Sequence, residues 1–395
     1  MNNVNFLNVG TYPPKQCGIA TFSMDLRESL LFNGHQVTVL SVSDNSYDYD
    51  YPPEVLFNLR QDQLAEYSRA AAFINSHPRI DMVIIQHEYG IYGGSDGDYI
   101  IDLVKNLHKP YILICHTVLP HPSSHQKHIL DMLCYHASGI VAMTRHSAGL
   151  LTDLYEAPGD LIKVIAHGVP NFKKQDARIL KRKYHLEGRD IISTFGLIGP
   201  GKGLELGIQA FARIAPDFPN ARYLILGQTH PMLVKNEGEK YRNMLENLVG
   251  ELNLDDKVIF VNKFLNDEEL GQYLYLTDVY LSPYPNRDQA VSGTMAFALG
   301  CGRAIVSTPY AYAREMLANG IGMLSKGTNP EELARLLKKV LSDRTLKMRL
   351  QDKAGRLGKS WTWSNIGKQY INLAHSILRP EPATSQDGGS VSYAR

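Results

Sequence analysis

The sequence is poor in the features that would send a chain to a membrane, a metal or a nucleic acid. No run of about eighteen apolar residues occurs, so no stretch is long enough to span a bilayer as a helix. Residues 1–10 lack the basic start and long apolar core of a secretion signal, and the expectation is a protein of the cytosol. Charge of either sign is not in excess: 41 Lys and Arg stand against 40 Asp and Glu. That removes the global argument for a nucleic-acid partner, whose binders carry a basic face. Cysteine is scarce, with Cys17, Cys115, Cys134 and Cys301 far apart and no C-x-x-C spacing. A disulfide framework and a cysteine zinc site are both excluded, and the four read as reduced, buried side chains.

Two nucleotide motifs are also incomplete. The loop T-Y-P-P-K-Q-C-G-I-A-T-F at 11–22 follows a short apolar run and leads into a helix, but it is not G-x-G-x-x-G, and Pro13-Pro14 stiffens it. Gly18 therefore reads as part of a ligand-facing loop without NAD. At 196–203, G-L-I-G-P-G-K-G supplies Gly196 and Gly201-Lys202 of a Walker A loop, yet Gly203 stands where the magnesium-binding Ser or Thr belongs. Lys202 is then a point charge for a diphosphate, or an exposed lysine on a surface turn.

What the chain has is a repeated strand–loop–helix grammar. Short apolar strands are expected near 4–10, 35–41, 82–86, 111–115, 139–143 and 162–166, with helices between them. The pattern restarts at 190–195, 223–227, 258–261, 278–282 and 304–307. This is an α/β chain of two Rossmann-like domains with parallel sheets. A charged stretch at 171–188 marks the boundary, giving domains 1–172 and 173–364. A helix at 365–379 is left free to pack back on the first domain, and 380–395 is expected to be disordered. The basic run within 173–183 reads as a solvated linker helix, with docking on anionic lipid as the alternative.

The chemistry is expected at strand ends. Residues 285–317 read as a loop, a helix opening on Ser292-Gly293-Thr294, and a buried strand. Such a helix start offers unpaired N–H groups, two hydroxyls and the positive end of a dipole, and so it fits an anion or serves as an ordinary cap. In the first half, His87-Glu88 and His116-Thr117 hang from neighbouring strand tips. His121, His125 and His128 raise the question of a metal, but no Asp, Glu or Cys nearby completes a tetrahedral set.

Taken together these residues resemble the retaining glycosyltransferases of family 4, the group 1 family with the GT-B fold. The likeness runs from Asn5 to about Leu378. It rests on the Gly18 loop, G-H-Q-V-T-V at 34–39, His116, H-G-V-P at 167–170, the lysine loop at 196–203, and G-C-G-R-A-I-V-S-T-P…R-E-M at 300–316. The resemblance implies a metal-independent hexosyltransferase without a cofactor. Its donor would be a nucleotide sugar, GDP-mannose ahead of UDP- or ADP-glucose, and its acceptor a saccharide or lipid-linked saccharide in polysaccharide biosynthesis. A peripheral contact at the inner membrane face would suit such an acceptor.

On this likeness His116, Lys202 and Gln289 are the expected catalytic groups. Gly18, Lys202, Ser292, Gly293 and Thr294 are expected to hold the donor and Glu315 to touch either donor or cleft, with the base near Gly227, Lys263 and Phe264, where plain packing is the alternative. The chain departs from the family at two places. A pair of glutamates eight apart is replaced by Gln289 and Phe297, and an arginine after the first glycine of the lysine loop by Leu197. These departures keep open a catalytically silent interaction module, beside a sugar epimerase or phosphorolytic enzyme of the same fold.

Overall fold

The computed structural model describes residues 3–44 and 48–379, so the tail expected to be disordered lies outside the described residues. Two parallel sheets form its frame. The first has the order β3-β2-β1-β4-β5-β6-β7, built from β1 Asn5–Gly10, β2 Gln36–Ser43, β3 Val55–Arg60, β4 Met82–His87, β5 Tyr111–Cys115, β6 Gly139–Ala142 and β7 Ile162–Val164. The second runs β10-β9-β8-β11-β12-β13, from β8 Asp190–Phe195, β9 Ala221–Leu226, β10 Val258–Val261, β11 Val279–Ser282, β12 Ala304–Ser307 and β13 Met323–Leu324. These are the two Rossmann-like units expected.

Both faces of each sheet are covered, which is why the strands read as unbroken apolar runs. Alternate side chains enter opposite cores. Leu7 and Val9 join one with Ile85 and Leu113, while Phe6 joins another with Ile84 and Ile112. In the second sheet Ile191 and Ile305 face one core, Ile192 and Val306 the other.

Some elements are not visible in the sequence pattern. Strand β3 lies at a sheet edge, where V-L-F-N-L-R stays mostly solvated. The charged stretch after 343 is the helix Arg344–Ser360, which buries only Leu346, Leu350, Ala354 and Gly358, a narrow stripe at four-residue spacing. Cys17 is also not the buried residue expected. It is half-buried and its Sγ accepts from the Ala20 N–H at 3.4 Å, capping the first helix, Gly18–Phe32.

The final helix, Trp363–Leu378, crosses back onto that first helix. Ser29 Oγ donates to the Trp363 carbonyl, and Asn33 Nδ2 donates to the Ser364 carbonyl at 3.2 Å. The helices touch so closely that a Cβ at Gly367 would lie 2.1 Å from Ser29 Oγ.

Each sheet reverses its strand order once, between β1 and β4 and between β8 and β11. The crevices at the carboxyl ends of those strands are where open α/β sheets bind ligands.

Candidate active site

At the switch point of the second sheet, the loops after β8 and β11 lie against each other. Gly203 adopts a left-handed conformation (φ 59°), and a Cβ there would meet the Pro283 carbonyl oxygen at 2.3 Å. The Ser or Thr of a magnesium-binding phosphate loop is thus sterically barred. Lys202 ends a short 3-10 turn, Pro200–Lys202, and its Nζ donates to the Tyr284 phenol oxygen at 2.7 Å. The same oxygen lies 2.6 Å from Thr294 Oγ1, which lies 3.2 Å from Ser292 Oγ. Ser292 is the N-cap of the helix Gly293–Gly300 and accepts from the Met295 N–H at 3.3 Å. An ammonium, two hydroxyls and the free N–H groups of a helix start converge here, an arrangement suited to an anion. Burial alone would raise the Tyr284 phenol, but the Lys202 ammonium and the hydroxyls of Thr294 and Ser292 bring it below its ordinary value.

The positions where the family carries its paired glutamates are differently occupied. Gln289 Nε2 donates to the Val291 carbonyl at 2.8 Å, which leaves its carbonyl oxygen as the free acceptor. Phe297 is buried, stacked on Phe195 at 6.0 Å between ring centroids and edge-on to Phe172 at 5.8 Å. It belongs to the core rather than to the surface. Lys263 is paired with Glu269 at 2.5 Å, while Phe264 beside it is exposed. Gly227 approaches Gly196 so closely that a Cβ would fall 2.1 Å from the Gly196 carbonyl oxygen.

In the first domain, a Cβ at Gly18 would meet nothing within 4 Å, so its face of the helix start is open. His116 is held from behind. Gln86 Nε2 donates to Asn8 Oδ1 at 2.8 Å, so the Gln86 carbonyl oxygen takes the His116 Nε2 proton at 2.7 Å and Nδ1 remains an acceptor. Burial, with His167 and His87 nearby, pulls the imidazole down to about 3, and it is neutral. Beside it Thr117 donates to Glu88 at 2.5 Å; burial raises that carboxyl.

The two domains meet around these groups. His167, at the end of the first domain, lies against the helix Gly293–Gly300, its Nε2 3.0 Å from where a Gly293 Cβ would stand. Glu315 accepts from the Arg145 and His146 N–H groups at 2.8 and 3.1 Å, tying the helix Ala311–Met316 to the start of Arg145–Asp153. Gln228 Nε2 donates to Gln16 Oε1 at 2.6 Å across the cleft. Glu315 thus spends both oxygens on the facing domain. Sequence reasoning missed Tyr284, Gln86 and His167 as site residues; a tyrosine held between Pro283 and Pro285 at a strand end was the available signal for the first.

Among the described residues, no group of three or more His, Cys, Asp or Glu is placed to hold a metal ion, and no helix is long and apolar enough to cross a membrane. Within the basic run, Lys181 is turned onto Asp278 and Lys183 onto Gln272, both at 2.7 Å. A hollow of about 950 Å³ beside Lys174, Asp278 and Arg303 opens at the amino ends of β11 and β12, the edge opposite Lys202.

Comparison with known proteins agrees with the two-domain fold. The model described as Glycosyltransferase Family 4 matches residues 17–171, and that of Glycosyl transferases group 1 matches 176–357. An uncharacterized glycosyltransferase of Methanocaldococcus jannaschii is 23% identical over 394 residues, 92% of this chain and 95% of its own length. The 2-deoxystreptamine glucosyltransferase of Streptomyces kanamyceticus is 27% identical over 254 residues, 60% of each chain. The crystal structure of Anabaena HepE in complex with UDP-glucose superimposes with a TM-score of 0.73 at 15% identity, covering 94% of this chain and 99% of that one.

Proposed function

The chain belongs to the glycosyltransferases of family 4 and group 1, and on that premise we propose that it moves a hexose from a nucleoside diphosphate to a saccharide or lipid-linked saccharide with retention of configuration. The observation that carries this reading is the convergence of Lys202 and Thr294 on one point at the switch crevice of the second domain. When the sugar–phosphate bond breaks, negative charge grows on the departing diphosphate. A fixed ammonium, two hydroxyls and helix N–H groups aimed there lower the barrier without reorganising. The same groups offset the charge of the diphosphate, and no metal step is needed.

His116 serves as a neutral acceptor. Its Nδ1 receives a hydrogen bond from a sugar hydroxyl, oriented through Gln86, and Gln289 offers its carbonyl oxygen to another. The acceptor enters from the crevice between β1 and β4, and its hydroxyl attacks on the face the diphosphate leaves. Mannose is supported by the likeness of Q-x-x-S-G-T at 289–294 to bacterial mannosyltransferases, glucose by the named glucosyltransferase relative. Incubation with GDP-mannose, UDP-glucose and ADP-glucose, with chelator present, tests the reading. Transfer or slow hydrolysis of one donor, lost in Lys202→Ala, is expected; equal turnover by Lys202→Ala would overturn it. A silent module is the second reading, favoured by the burial of Phe297, and it requires that no donor turns over.

A further inference from the structure

We propose that Tyr284 is a positioning residue of the diphosphate site: its phenol holds Lys202 and Thr294 as a directed chain of donors and polarises the Thr294 hydroxyl toward the bound anion. This rests on the donor-site reading above. An ammonium has only donors, so at 2.7 Å the phenol oxygen must accept from Lys202 Nζ. That leaves the phenol proton for Thr294 Oγ1 at 2.6 Å. Thr294 then keeps its own proton for a third group. Ser292 Oγ accepts from the Met295 N–H at 3.3 Å and gives its own proton to Thr294 Oγ1 at 3.2 Å. Each bond in such a chain strengthens the next, because the ammonium at its head pulls electron density from the phenol. Thr294 therefore faces the anion as the donor at the end of the chain.

The ring itself cannot drift. It stacks on Tyr310 with centroids 5.1 Å apart at 16°, and Tyr310 is anchored to Ser282 at 2.8 Å. The Tyr284 carbonyl accepts from Thr308 Oγ1 at 2.5 Å.

The test is calorimetric titration of GDP and UDP into wild type and Tyr284→Phe across pH, beside transfer kinetics. The titratable groups around the phenol are Lys202 from the loop after β8, Tyr280 on β11 and Tyr310 after β12, while His230 from the loop after β9 lies within the field of Lys202. Ionisation would turn the phenol into an anion that keeps Lys202 and repels the diphosphate. Wild-type binding is thus expected to fade as pH rises through the lowered phenol ionisation, and Tyr284→Phe to bind about tenfold more weakly at neutral pH while losing that alkaline decline. A larger loss in kcat than in KM is expected as well.

Thr294→Val keeps the stacked ring and serves if Tyr284→Phe does not fold. It is expected to weaken diphosphate binding about tenfold and to move the phenol's ionisation, read by tyrosinate absorbance, to higher pH. Wild-type affinity and an unchanged alkaline limb in Tyr284→Phe, or an unmoved tyrosinate titration in Thr294→Val, would overturn the proposal. If wild type itself binds neither diphosphate, the donor-site reading fails instead.

Discussion

Lys202 and Thr294, far apart in the chain, are joined through one atom, the phenol oxygen of Tyr284, at 2.7 and 2.6 Å. The meeting is a product of topology. The strands that carry the two loops, β8 and β11, are neighbours in the sheet although two strands lie between them in sequence.

Restoring the family's glutamate should harm this chain. Phe297 fills an aromatic core with Phe195 and Phe172, so Phe297→Glu loses its packing and buries a carboxylate. A cost of about 3 kcal/mol or more is expected in urea unfolding. Unchanged stability with a gain in transfer would contradict the placement.

Glu315→Ala should loosen the domains rather than unfold them. The carboxylate caps two N–H groups of the facing domain, and its loss is worth about 1 kcal/mol. Amide exchange at Arg145 and His146 should quicken, and donor KM should rise with kcat little changed.

Gln86→Leu should leave nucleoside diphosphate affinity intact while lowering transfer. It frees His116 from the bond that sets its tautomer and orphans Asn8, costing about 1–3 kcal/mol in stability. Binding calorimetry beside turnover separates the two effects.

Asp25→Asn should stabilise the protein above neutral pH. Burial, then Asp267 and Glu28, pushes the Asp25 carboxyl up to about 8, and its Oδ2 has no hydrogen-bond partner. Between its ordinary value of 3.8 and about 8 the folded chain holds a proton that the unfolded chain has released, so stability falls as pH rises through that window. The buried imidazoles of His116, His167 and His87, pulled down to about 3, 4 and 4, act oppositely, and their contribution is lost as pH falls below 6.5. Thermal unfolding from pH 5 to 9 should show the alkaline decline flattened in Asp25→Asn alone.

The two-domain frame was legible because buried parallel strands are apolar on both faces, as in Y-I-L-I-C at 111–115. The helix start at Ser292 was legible because capping needs particular residues. Strand β3 and the helix 344–360 were not, since an edge strand and a narrowly buried helix are mostly polar. Tyr284 escaped for another reason: its role depends on which loops the strand order brings together, and no local pattern records that. Glu315 was picked out as a donor or cleft residue, but its bonds to the facing domain required the cleft itself.

The most direct measurement is a crystal structure with nucleoside diphosphate soaked into the cleft. The expected result is a pyrophosphate within about 3 Å of both Lys202 Nζ and Thr294 Oγ1. A nucleotide bound elsewhere, or touching neither group, would contradict the site.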